Sequence, residues 1–153
     1  MLVLTSPDFD PGRTIPARFT CDGDNVSPAF RWDNLPVGTV ELLLVCDDPD
    51  APDGIFRHWV AWGIAPDSGF LRSGFGVGEV EPGFQQAIND FGKPGYCGPC
   101  PPQGDPPHSY HFRLSALNEK ITVAAPGARS EEIITLAQPK VIEFAELVGF
   151  YAR

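Results

Sequence analysis

Val40-Glu41-Leu42-Leu43-Leu44-Val45-Cys46 is apolar at every position except Glu41. A short run of this kind reads as a central strand buried on both faces. Working outward, Arg57 to Ile64 is aromatic and β-branched and reads as its neighbour. Tyr110-His111-Phe112-Arg113-Leu114-Ser115-Ala116 alternates, which puts Tyr110, Phe112, Leu114 and Ala116 on one face. Ala29 to Trp32 is a shorter candidate. The 17 prolines and 16 glycines, concentrated before the last fifth of the chain, cut it into the short segments of an all-β sandwich. The end of the chain changes character. Ser130 can cap a helix whose first turn holds Glu131 and Glu132. Pro139 then opens a second helix, with Val141, Phe144, Ala145 and Val148 on one face and Gly149 as its stop. The expectation is a mostly β, single domain over residues 1–153, with C-terminal helices.

Charge and composition exclude several classes. The formal net charge of -9 repels nucleic acid and anionic membrane surfaces, so a bound anion must be held by local donors. The longest apolar run, Leu42 to Cys46, is far below the roughly 20 residues that cross a bilayer. Met1 to Pro7 has neither a basic start nor a long apolar stretch, so the reading is a cytoplasmic protein without stable membrane insertion. In that compartment Cys21, Cys46, Cys97 and Cys100 are expected as thiols. Cys97 and Cys100 form a lone C-x-x-C, with no second pair for zinc. Pro99, Pro101 and Pro102 deny it the helix start that a redox motif needs. Gly74, Gly76 and Gly78 lack the strand and helix that flank a phosphate-cradling loop, and read as a mobile surface loop.

Three clusters carry chemistry. Asp47-Asp48-Pro49-Asp50-Ala51-Pro52 follows the buried strand, and its prolines aim the carboxylates from a stiff turn. Phe56-Arg57-His58-Trp59 opens the next strand and would bring His58 within reach of Asp48, which fixes its tautomer and favours its charged form. The Gly/Pro-rich stretch Gly95 to Gly104 is followed by His108-Ser109-Tyr110, where His108 and Tyr110 share a face and offer two donors to an oxyanion.

These stretches, with Asn89-Asp90-Phe91-Gly92, Thr20-Cys21-Asp22-Gly23, Ser27-Pro28 and Glu146 to Tyr151, resemble the phosphatidylethanolamine-binding protein family, in its bacterial and archaeal Raf kinase inhibitor-like branch. The resemblance implies a large antiparallel sheet on a smaller one, with C-terminal helices. It also implies a pocket of Asp48, Asp50, Pro52, Phe56, His58, Cys100, Pro102, His108 and Tyr110 that takes phosphate, acetate, cacodylate or a phosphorylated head group. Ser109 stands where the family often has Arg, which removes a positive charge at the mouth. Gly63 and Ala87 replace a frequent Asn and Gly and touch local backbone shape only. The expected function is therefore binding of a small anionic ligand, without catalysis, cofactor or metal. Inhibition of a kinase or protease and formation of a homodimer are further expectations from relatives. The alternative is a metal-assisted hydrolase built on the two Asp and two His.

Overall fold

Strand β3, Glu41–Asp48, is buried at every residue in the computed structural model, which describes residues 1–123 and 127–153. Its alternate side chains enter two different cores. Leu42, Leu44 and Cys46 pack with Phe30, Trp59, Phe112 and Leu114. Leu43 and Val45 pack on the opposite face with Val60, Leu117 and Ile133. A strand with apolar matter on both sides cannot alternate in polarity, which is why this stretch is nearly all apolar.

The larger sheet has the order β6 (Gln85–Gln86), β4 (Phe56–Ile64), β3, β7 (His108–Leu117) and β8 (Val141–Tyr151), with every pair antiparallel. The smaller sheet is β1 (Val3–Thr5), β2 (Phe30–Asp33) and β5 (Phe70–Leu71). The aromatic core between them holds Phe112 with ring centroids 5.1 Å from Phe30 and 5.8 Å from Phe9. Helix α1, Ser130–Ala137, covers the other face of the larger sheet through Ile133 and Ala137. The expected β-sandwich of a larger sheet on a smaller one is what forms. No helix among the described residues is long and apolar enough to cross a membrane.

The end of the chain departs from expectation. The predicted second helix is strand β8, paired with β7 from His108↔Tyr151 to Leu117↔Val141. Its buried positions recur with period two, at Leu147, Gly149 and Tyr151. The apolar positions of this stretch fit both periods, and the long unpaired edge of β7 decides for strand. Gly149 is required by packing, since a Cβ there would lie 2.6 Å from Ile15 and 2.8 Å from Phe9. Ser130 is the first residue of α1 rather than its cap, and its hydroxyl donates to Ile88 O. The expected mobile glycine loop is instead anchored: Phe75 is fully buried, and Ser27 N–H donates to Phe75 O at 2.8 Å. Gly63 has φ +73°, and a Cβ there would meet Gly83 O at 1.8 Å, so backbone shape does select it.

The cysteines also depart from expectation. Cys21 and Cys100 form a disulfide, while Cys46 and Cys97 are buried thiols. The bridge follows from how the Gly/Pro loop is seated on the N-terminal segment. Tyr96 OH donates to Phe19 O, Cys21 N–H to Pro99 O, and Gly98 N–H to Asn25 Oδ1. Those contacts bring together two cysteines 79 residues apart.

Candidate functional site

One end of the larger sheet gathers most of the expected residues. The end of β3 supplies Asp48, the start of β4 supplies Phe56 and His58, and the start of β7 supplies His108 and Tyr110. Together with Pro52, Cys100 and Pro102 they line one cavity of about 210 Å³. Asp50 is the expected residue that does not line it. Its carboxylate instead accepts from Ser109 N–H and Ser109 Oγ–H, each at 2.7 Å. Those bonds hold the Asp50 carboxyl below its usual pKa.

A β-bulge puts His58 in place. Cys46 pairs with Trp59 and Asp47 with Arg57, which leaves His58 as the extra residue. Strict alternation would send His58 and Trp59 to opposite faces. The bulge lets Trp59 enter the core while His58 turns into the cavity. The same strand ends sort the acidic turn. Asp47 pairs with Arg57, which also reaches Glu131 at 2.9 Å, on the side of α1. Asp48 turns the other way, into the cavity.

His58 has a different partner from the one expected, and the expected carboxylate holds His108 instead. Asp48 Oδ2 lies 2.7 Å from His108 Nδ1, and its Oδ1 accepts from Asp50 N–H at 2.8 Å. His58 does not bond Asp48. Its Nδ1 lies 2.7 Å from Cys97 O, and a carbonyl only accepts, so that nitrogen carries the proton. Burial lowers the His58 pKa below its ordinary value, against the opposing pull of Cys97 O and the Asp48 charge. The ring is therefore neutral near pH 7, and its Nε2 is an acceptor. His108 behaves oppositely. Burial pulls its pKa down, but hydrogen bonds to Asp48 and Asp105 and their charges raise it above the ordinary value. The Tyr110 hydroxyl is buried and has no hydrogen-bond partner among the described residues. Burial, then the Asp48 charge, push its pKa far up, so it is a phenol donor at any working pH.

Sequence reasoning missed Phe91 and Asp105. Phe91 lines the cavity, with ring centroids 4.7 Å from Phe56 and 5.4 Å from His58. Asn89 holds it there by accepting from Phe91 N–H and Lys93 N–H, so the Asn-Asp-Phe-Gly turn was the available signal. Asp105 reaches His108 Nε2 at 3.1 Å. No periodicity points to it, because it lies in a turn. A larger recess of about 290 Å³, with Trp62, Val80 and Phe84 in its walls, has Glu79, Gln85 and Gln86 as its polar side chains and no histidine or tyrosine. The smaller cavity is the better candidate because two histidines, a tyrosine hydroxyl and a carboxylate converge on it within otherwise apolar walls. Among the described residues no group of three or more His, Cys, Asp or Glu is arranged to hold a metal ion, so the hydrolase alternative is not supported.

Comparison with known proteins agrees with this picture. A family model described as phosphatidylethanolamine-binding protein matches residues 5–152. A UPF0098 protein of Methanothermobacter thermautotrophicus is 44% identical over 145 residues, covering 94% of this chain and 93% of that one. A Mycobacterium tuberculosis protein named as the lipoprotein LppC is 39% identical over 150 residues, covering 98% of this chain and 72% of that one. Among solved structures, Escherichia coli YbcL, described as a member of the mammalian PEBP family, superposes with a TM-score of 0.91 at 27% identity, over 99% of this chain and 98% of that one. The fold, the ordered motifs and a match over nearly the whole chain agree, and the chain belongs to the phosphatidylethanolamine-binding protein family.

Proposed function

We propose that this protein binds a small anionic group, a carboxylate or phosphate, in the cavity at the end of the larger sheet. The observation that carries the reading is a wholly buried Tyr110 hydroxyl without a partner, beside the His108 imidazole, in an otherwise largely apolar pocket. An unmade hydrogen bond on a buried hydroxyl costs about 1–3 kcal/mol. A ligand oxygen that accepts from it recovers that cost. The volume of about 210 Å³ suits a head group rather than a drug-sized molecule. His108 supplies the positive charge and Tyr110 a neutral donor. His58, neutral with Nδ1 on Cys97 O, serves as an aromatic wall and an acceptor for a protonated ligand oxygen.

The test is calorimetric titration with acetate and a phosphate monoester at about pH 6, 7.5 and 9, spanning the histidine range. Because the His108 pKa is raised, affinity for acetate holds through neutrality and falls as pH climbs through that value. Acetate affinity that does not change with pH, or that survives Tyr110→Phe intact, would overturn the reading.

The compartment also needs a new reading. The cytoplasmic expectation carried with it four reduced thiols, whereas disulfides such as Cys21–Cys100 persist in oxidising surroundings. The lipoprotein name of the mycobacterial relative points the same way. Alkylation of thiols in intact cells before lysis tests it. Four modified cysteines per chain would restore the cytoplasmic reading.

A further inference from the structure

His108 has two carboxylates on it, one at each ring nitrogen. Asp48 lies 2.7 Å from Nδ1 and Asp105 lies 3.1 Å from Nε2. A carboxylate only accepts, so both nitrogens donate and the ring is an imidazolium. The two carboxylates are not equivalent. The Asp48 side chain is 5% exposed, and its second oxygen is held by Asp50 N–H. The Asp105 side chain is 41% exposed and makes no other hydrogen bond among the described residues. Asp48 is a fixed support, and Asp105 a partner that water can replace.

The backbone under Asp105 is tied independently of its carboxylate. Asp105 N–H donates to Pro102 O, and Gly104 N–H to Arg153 O, each at 3.2 Å. Rotation of the Asp105 side chain toward solvent therefore leaves the turn intact. It also uncovers the one N–H of His108 that an outside anion could use, since Nδ1 is committed to Asp48.

We propose that Asp105 is the affinity-setting residue of the anion site: a tethered carboxylate seated on His108 Nε2 that any incoming anion must displace. This rests on the anion-pocket reading given above. The tether gives Asp105 a high local concentration at that N–H, so an anion in solution competes against it on unequal terms. Anions that form a second bond, to Tyr110 OH, gain what Asp105 forgoes, since that hydroxyl is unpartnered with Asp105 seated. The site thus favours ligands that engage both donors and rejects those that reach His108 alone. The displaced carboxylate stays close, and its charge weighs more against a dianion than a monoanion.

Two substitutions separate the contributions. Asp105→Asn removes the charge but keeps an amide oxygen able to accept from Nε2. Asp105→Ala removes both. Both change an exposed turn side chain, so the fold is retained. Wild type and the two variants are titrated calorimetrically with acetate and with inorganic phosphate near pH 7. A half-exposed ion pair is worth up to about 1 kcal/mol, so Asp105→Ala should bind about fivefold more tightly, with Asp105→Asn between it and wild type. The gain should be larger for phosphate than for acetate. Equal affinity in all three proteins overturns the role of Asp105 and leaves the pocket reading standing. Weaker binding in the variants also overturns it, by making Asp105 a support of His108. Absence of binding in all three, including the variant with Nε2 uncovered, overturns the pocket reading and the role of Asp105 with it.

Discussion

Replacing His108 by Ala should destabilise the fold in a pH-dependent way. Asp48 is 4% exposed and has two hydrogen bonds, from His108 Nδ1 and from Asp50 N–H. His108→Ala removes the first and leaves a buried carboxylate half satisfied. Breaking a buried charge pair from one side costs about 3–5 kcal/mol. The retained Asp50 N–H and water entry into the cavity hold the loss to the lower end, about 3 kcal/mol. Losing the Asp105 contact adds less, because that partner is exposed. The His108 pKa is raised in the folded protein, burial being outweighed by the hydrogen bonds and charges of Asp48 and Asp105. Its charge-dependent contribution is therefore complete below the unfolded value near 6.5 and is lost as pH rises through the folded value. Above that, a neutral ring still donates one N–H to Asp48. The gap between wild type and His108→Ala should be widest near pH 6 and narrower near pH 9, as roughly the two sides of that transition. Urea unfolding of wild type, His108→Ala, Asp48→Asn and the double variant at both pH values measures it. The double variant should cost clearly less than the sum of the singles, since it leaves no stranded carboxylate. A gap that is flat with pH or widens toward alkaline pH, or additive single variants, would refute the charge-pair assignment.

His58 should behave with the opposite sign: burial lowers its folded pKa, so its contribution is present above about pH 6.5 and lost as pH falls through the folded value. His58→Phe should flatten the acid side of the stability curve in thermal melts. It should not strand Asp48, because the group that loses its partner is Cys97 O. Tyr110→Phe should raise the stability of the ligand-free protein by about 1–3 kcal/mol, since it removes a buried hydroxyl with no hydrogen-bond partner among the described residues, while weakening acetate binding about fivefold in calorimetry. Unfolded without reductant, the protein should titrate two thiols, Cys46 and Cys97. Reduction of Cys21–Cys100 should lower stability by about 4 kcal/mol, from the chain entropy of a closed loop spanning 79 residues, read by denaturant midpoint with and without reductant. Ser109→Arg should strengthen phosphate binding severalfold and steepen its salt dependence, visible in titrations at low and high ionic strength.

Local pattern determined the central strands of this protein by itself. The runs of β3, β4 and β7 were legible because burial on one or both faces imposes a polarity pattern that neighbours along the chain carry. His108 and Tyr110, two apart on β7, had to share a face for the same reason. The motifs around Asp48 and Gly95 to Pro102 named most of the pocket through family resemblance. Wherever two partners compete for one segment or one atom, local pattern carried no answer. Val141 to Tyr151 suits a helix or a strand, and the open edge of β7 made it β8. The short loop after Asp48 pointed to His58 as its partner. The bulge opposite Cys46–Asp47 and the carbonyl of Cys97 took His58, which left Asp48 to His108. Cys100 had a near neighbour in sequence at Cys97 and a bonding partner at Cys21, which only the packing of the Gly/Pro loop on the N-terminal segment brought within reach. Asp105 has no periodic signature, and its place on Nε2 follows from the turn that carries it. Periodicity records which side of an element is buried, and it is silent on which distant group arrives there first.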